Sequence, residues 1–207
     1  MTNEIVLYTN PRSRGRIAHW MLEEVDAPYR TEFIELGAGT RTPEFLAINP
    51  MGKVPTLVHG AEVVTEAAAI CAYLADTFPE AGLAPRPGER AAYYRWLFFA
   101  AGPLESSVTN RALGFTPPEE RQGMVGYGSF EAVMDTIERA LEAGPFVAGD
   151  RFTAADVYFG SQVGWGLMFG SIEARPAFKE YWGRLASRPA LARANAANDA
   201  AMAAEAS

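Results

Sequence analysis

The chain has 207 residues, 49% of them hydrophobic and 21% charged, with 18 basic against 25 acidic side chains and a net charge of -7. That composition is globular and excludes a disordered or fibrous chain; the length suggests about one to two domains that bury roughly 70% of the unfolded surface. A single cysteine, Cys71, excludes an internal disulfide, a Cys-x-x-Cys pair and a multi-thiolate zinc site, and His19 and His59 are too few for a metal cluster, so no metal is expected.

The positive charge is almost all arginine, since Lys53 and Lys179 are the only lysines. An acidic chain without a basic run is a poor match for nucleic acid. No window approaches 18 uninterrupted apolar residues, and the opening residues carry Glu4 ahead of a strand-like run. The expectation is a cytoplasmic protein with neither nucleic acid nor membrane as partner.

Ile5-Val6-Leu7-Tyr8 is a short apolar run ahead of Asn10-Pro11 and reads as a buried strand. Ala18, Met21, Leu22 and Val25 then recur at i, i+3, i+4 and i+7, the stripe of a helix that Pro28 ends. Tyr29 to Leu36 is a second strand candidate, followed by a loop around Gly37-Ala38-Gly39-Thr40. Val54 to Val58 and Glu62 to Thr65, separated by His59-Gly60-Ala61, predict a hairpin. Glu66 opens a helix on which Ile70, Tyr73, Leu74 and Phe78 share a face. The order is βαβ and then ββα, a thioredoxin-like α/β domain with a mixed sheet over residues 1–78.

Pro79, Gly82, Pro85, Pro87 and Gly88 punctuate ten residues and predict a linker over 79–88. Residues 89–207 then read as all-helical. Ala91 to Ala101 is dense in aromatics and is expected to stop near Gly102-Pro103. Pro118 to Ala143 predicts a second long helix, and Phe152 to Ser171 is apolar on nearly every side, as a central buried helix should be. Pro176 to Arg188 and an alanine-rich segment after Pro189 follow, with the tail from about Asn198 expected to fray.

Three loops carry chemistry. Thr9-Asn10-Pro11-Arg12-Ser13-Arg14-Gly15-Arg16 runs into a helix N-terminus, which attracts an anion; Ser13 adds a hydroxyl that serves equally well as a helix cap. Gly52-Lys53-Val54-Pro55 is compatible with a cis peptide bond that turns the Val54 backbone outward, or with a trans proline at a strand start. Thr65-Glu66-Ala67 puts a carboxylate at a helix start, where the dipole favours it with or without a ligand. Downstream, Thr153 and Asp156 have capping-box spacing.

These loops, with the linker, the helical half and Gly149-Asp150-Arg151-Phe152-Thr153-Ala154-Ala155-Asp156, resemble the cytosolic glutathione transferase family over nearly the whole chain. The resemblance implies a homodimer that binds glutathione as cosubstrate on the first domain and a small apolar electrophile against the second. By position, Val54 pairs its backbone with the cysteinyl unit and Pro55 is the cis proline. Glu66 holds the γ-glutamyl amine, Lys53 reaches the glycyl carboxylate, and Ser13 aims its hydroxyl at the sulfur. Asn10 or Arg12 stands as the alternative activating residue.

Ala67 departs from the usual serine and leaves only a backbone N–H for the γ-glutamyl carboxylate, at a cost of about 1.5–3 kcal/mol. Among Tyr93, Tyr94, Trp96, Phe98 and Phe99, with Phe115, Trp165 and Met168, one or two are expected to line an electrophile pocket. Cys71, flanked by Ile70 and near Leu74, reads as a buried structural thiol. The implied activity is thiol conjugation. A glutathione-dependent disulfide reductase, peroxidase or isomerase, and a non-catalytic binding protein, stand beside it.

Overall fold

The computed structural model describes residues 4–205. The chain divides into two compact units, one formed by residues up to Leu83 together with those from Ser187 onward, the other by Ala84–Ala186.

In the first unit, β1 (Ile5–Thr9) is central, and Ile5, Val6 and Leu7 are buried as the apolar run requires. Helix α1 (Gly15–Val25) buries Ile17, Ala18, Trp20, Met21, Leu22 and Val25, then stops at Asp26 in the left-handed region. β2 is Arg30–Phe33, shorter than the predicted run, and pairs parallel to β1 on one edge of the sheet. β3 (Thr56–His59) and β4 (Glu62–Thr65) form the predicted hairpin, and β3 runs antiparallel to β1, giving the order β2-β1-β3-β4. β3 starts at Thr56, two residues later than predicted; Pro55 just before it has no N–H to give the ladder. Helix α3 (Ala67–Thr77) completes the ββα order.

A helix with no counterpart among the predicted elements, α2 (Pro43–Ile48), precedes β3. Its start is specified locally. Thr42 accepts the Phe45 N–H, Pro43 occupies the first turn, and Glu44 suits the positive end of the dipole.

The second unit is helical: α4 (Ala91–Phe99), α5 (Glu105–Ala112), α6 (Phe130–Glu142), α7 (Ala154–Phe169) and α8 (Pro176–Ala186). Gly102-Pro103 does not end the helical path. The chain passes it as a wider π turn over Ala100–Leu104, which accommodates a residue without an N–H. The stretch predicted as one helix over 118–143 is split: a 3-10 segment covers Glu119–Met124, and Ser129 then caps α6 by accepting the Ala132 N–H.

Helix α7 is the buried centre of this unit, with Val157, Phe159 and Val163 inaccessible to solvent. Gly160 and Gly164 let α8 approach closely: a Cβ on them would lie 2.2 Å from Leu185 Cδ1 and 2.7 Å from the Trp182 ring. The predicted capping box is present. Asp156 Oδ2 accepts the Thr153 N–H at 2.9 Å and its hydroxyl at 3.1 Å; Oδ1 accepts the Val147 N–H at 2.8 Å and the Tyr181 hydroxyl at 2.9 Å.

The C-terminal segment departs from the sequence reading in two respects. Helix α9 (Pro189–Glu205) belongs with the first unit, lying against α1, whereas 89–207 reads in sequence as one helical domain. Nor is Asn198 the start of a loose tail. Leu191, Ala194 and Asn198 form one buried stripe against α1, and alanines on this face let the two backbones come close.

Candidate active site

The register of the sheet gathers three of the predicted loops at one end. Tyr8 of β1 pairs with Thr56 of β3, and Thr56 pairs with Thr65 of β4. The turn after β1, the residues before β3 and the residues after β4 therefore meet at the same sheet end. The N-termini of α1 and α3 point there too, because each helix follows directly on β1 or β4.

The first turn is tightly braced. Asn10, almost fully buried, donates from Nδ2 to the Ile34 carbonyl at 3.0 Å and accepts the Arg12 N–H at 2.9 Å. Asn10 thus uses one N–H and its side-chain oxygen to hold the loop. The Ser13 hydroxyl donates to the Asn10 carbonyl at 2.7 Å and accepts the Gly15 N–H at 3.0 Å, so it occupies the first N–H of α1 from one residue ahead of the N-cap, Arg14. Gly15 leaves the space that a Cβ would need to Thr9 Oγ1, which would lie 1.8 Å from it.

The second turn holds a cis Val54–Pro55 bond. Asn49 organises it. The Asn49 Nδ2 group donates to the Lys53 carbonyl at 2.9 Å and to Thr56 Oγ1 at 3.0 Å, and the Thr56 hydroxyl donates to the same carbonyl at 3.0 Å. Asn49 Oδ1 accepts the Met51 N–H. Gly52 has φ +59°, and a Cβ there would lie 2.6 Å from the Thr40 carbonyl, so the loop requires glycine.

At the third turn Glu66 has φ 67° and ψ 118°, a left-handed conformation that a glutamate adopts at a cost of about 1–3 kcal/mol. Such strain is concentrated at ligand-binding turns, and Glu66 is exposed while Ala67 behind it is buried.

Ser13, Lys53 and Val54 line one cavity of about 400 Å³, together with Arg12, Arg14 and Arg41. Pro55, Glu66 and Ala67 are not among its lining residues and adjoin it only through the sheet register. In a chain of net charge -7, this cavity gathers four cationic side chains and, among the described residues, no acid. Arg41, Asn49 and Thr56 are contributions that sequence reading missed. Asn49-Pro50-Met51-Gly52, an Asx-Pro-x-Gly turn signature, was the available signal.

Cys71 is fully buried, and burial pushes its thiol pKa up, so it is no nucleophile for this site. Of the aromatic residues on the second unit, Tyr93 and Trp96 belong to the core, whereas Phe98, Phe115 and Met168 are exposed. Among the described residues no group of three or more His, Cys, Asp or Glu side chains could hold a metal ion, and no helix is long and apolar enough to cross a membrane.

Residues 3–76 match the glutathione S-transferase N-terminal domain, and residues 80–182 match the glutathione S-transferase C-terminal domain. The chain belongs to the glutathione S-transferase family. Among solved structures it is similar to a glutathione transferase from Methylococcus capsulatus, at TM-score 0.78 and 32% identity over 94% of this chain and 98% of that one. A sphingomonad glutathione S-transferase complexed with glutathione gives TM-score 0.75 and 30% identity, covering 94% and 98%. Among curated relatives, the disulfide-bond oxidoreductase YfcG of Escherichia coli is 30% identical over 92% of this chain and 94% of its own length. The family fold is therefore a thioredoxin-like mixed sheet followed by helices, as the transferase resemblance implied.

Proposed function

We propose that this glutathione S-transferase holds glutathione in the cavity between the Ser13 and Val54 turns and activates its thiol for attack on a small apolar electrophile. The observation that carries the reading is the convergence of Ser13, Val54 and four cations on one cavity. Glutathione brings two carboxylates and a thiol, and a cavity of that charge suits it. The relative with glutathione bound supports the same ligand.

In this reading the backbone of Val54 pairs with the cysteinyl unit beside the cis Pro55. Lys53 and Arg41 face the glycyl carboxylate, and Glu66, exposed on its strained turn, takes the γ-glutamyl amine. The γ-glutamyl carboxylate meets the Ala67 N–H at the α3 N-terminus, without a side-chain hydroxyl.

A free thiol has a pKa of about 8.5, and lowering it by about two units takes roughly 2.7 kcal/mol of preferential thiolate stabilisation. The Ser13 hydroxyl rotates its proton from the Asn10 carbonyl to the sulfur, because an anionic acceptor outcompetes a neutral one. The α1 N-terminus and the Arg12 and Arg14 charges add to it. The thiol proton leaves to solvent, the sulfur lone pair forms the new bond, and the leaving group departs with the electrons of the bond that breaks. No general base is required.

The finer expectations go with this reading: a cytoplasmic homodimer that removes electrophiles, with exposed aromatics of the second unit, such as Phe98 or Phe115, serving an electrophile or a partner subunit. A second reading, reduction of disulfides through bound glutathione, is supported by the oxidoreductase relative. Turnover of chlorodinitrobenzene with glutathione supports conjugation. Turnover of hydroxyethyl disulfide alone supports the second reading, and failure to bind glutathione at millimolar concentration overturns both.

A further inference from the structure

Arg16, in the first turn of α1, uses one guanidinium on two separate segments. Its Nε donates to the Pro11 carbonyl at 2.7 Å, inside the turn that carries Ser13. Its Nη1 donates to Asn195 Oδ1 at 3.3 Å and its Nη2 to Asp199 Oδ1 at 2.5 Å, both on α9. Met202 Sδ lies 3.4 Å from Nη2.

The Pro11 carbonyl lies between the two residues whose mutual bonds define the turn. Ser13 contributes both its N–H, at 3.1 Å, and its hydroxyl, at 2.7 Å, to the Asn10 carbonyl. Moving Pro11 moves that carbonyl and the Ser13 hydroxyl with it. The guanidinium is planar and rigid, so fixing two of its nitrogens on α9 fixes the direction of the third.

We infer that Arg16 is a positioning residue for thiol activation, the clamp through which the C-terminal helix α9 sets the placement of the Ser13 turn. The inference rests on the reading of Ser13 given above. It assigns α9 a part in the chemistry although, among the described residues, none of its side chains lines the cavity. The seam has a built-in control at its far end, where Arg193 on α9 pairs with Glu23 on α1 at 2.6 Å, remote in sequence from the turn. Both pairs dock the same two helices, and only the Arg16 pair grips the loop.

The test uses the full chain with three substitutions: Arg16→Lys, which keeps the charge and loses the fork; Asp199→Ala, at a site two-thirds exposed and so safe for folding; and Arg193→Gln. Two quantities are measured: the thiol pKa of bound glutathione from its thiolate absorbance, and amide hydrogen exchange at Arg12 and Ser13 in the ligand-free protein. Arg16→Lys and Asp199→Ala each raise the thiol pKa by about half to one unit, which from a parent value of about 6.5 lowers the thiolate fraction at pH 7 about 1.5- to threefold. Each also speeds exchange at the two amides, and the double variant is no worse than Arg16→Lys alone. Arg193→Gln leaves both quantities unchanged.

Parent-like values in Arg16→Lys and Asp199→Ala overturn the proposal, as does an equal shift in Arg193→Gln, which would mark general docking. If the parent protein holds no thiolate, the glutathione reading fails and the exchange data alone decide: faster exchange upholds the clamp, and unchanged exchange overturns it.

Discussion

Asp156→Asn removes one negative charge from the centre of the helical unit while preserving shape, and its cost follows from the four donors around the carboxylate. Two of them, the Thr153 and Tyr181 hydroxyls, can rotate and accept a hydrogen bond instead. The other two, the Val147 and Thr153 N–H groups, cannot, and they sit on opposite oxygens. Whichever way the new amide is turned, its NH2 faces a backbone N–H and orphans it. An orphaned buried donor and the weakening of the other bonds from charge-assisted to neutral together cost about 2–4 kcal/mol. In a chain of this size that lowers Tm by roughly 10 °C. Calorimetry and urea titration at neutral pH measure it. Burial raises the Asp156 pKa, while the four hydrogen bonds oppose the shift. A protonated carboxyl already carries a donor on one oxygen, and asparagine would mimic it almost without loss. A variant within about 0.5 kcal/mol of the parent therefore refutes the reasoning that four donors hold an ionised carboxylate.

Three further outcomes are expected. Ala67→Ser supplies the hydroxyl missing at the α3 N-terminus and tightens glutathione binding by about 1.5–3 kcal/mol, one to two decades in Kd by calorimetric titration. Gly52→Ala forces a side chain into a φ of +59° and against the Thr40 carbonyl, destabilising the Val54 turn by about 1–3 kcal/mol and raising KM for glutathione more than it lowers kcat. His19, buried on α1, has its pKa lowered chiefly by desolvation, against raising influences from Asn198 and Glu23. Its unfolded form takes up a proton first, so stability is full above pH 6.5 and falls as pH drops below that value toward the folded pKa; in His19→Gln the slope of stability between pH 7 and 5 flattens.

The parts of the fold legible in sequence are those set by local contrast. The Ile5–Tyr8 run, the α1 stripe, the hairpin around Gly60 and the Thr153–Asp156 box each combine a periodic apolar pattern with a turn or cap residue. The helix α2 was hidden because six residues offer little periodicity, although Thr42-Pro43-Glu44 announced its start. The docking of α9 was hidden for a different reason. Its alanines give no amphipathic contrast, and its anchors are Arg16, Asp199, Arg193 and Glu23, charged residues that read as solvated when their partners lie some 170 positions away. Ser13, Lys53 and Val54 were visible as loop residues and do share one cavity. Arg41 and Asn49 acquire their roles only when Gly52 folds the chain back onto them.

The central claim is that Ser13 and the charges around it stabilise a glutathione thiolate. The direct measurement is a pH titration of bound-thiolate absorbance in the parent protein and in Ser13→Ala. The account predicts a thiolate visible at or below pH 7 in the parent and an apparent pKa raised by about one to two units in the variant, toward the value of about 8.5 for a free thiol. A thiolate that titrates identically in both proteins contradicts the account and moves the activating role from Ser13 to the neighbouring arginines.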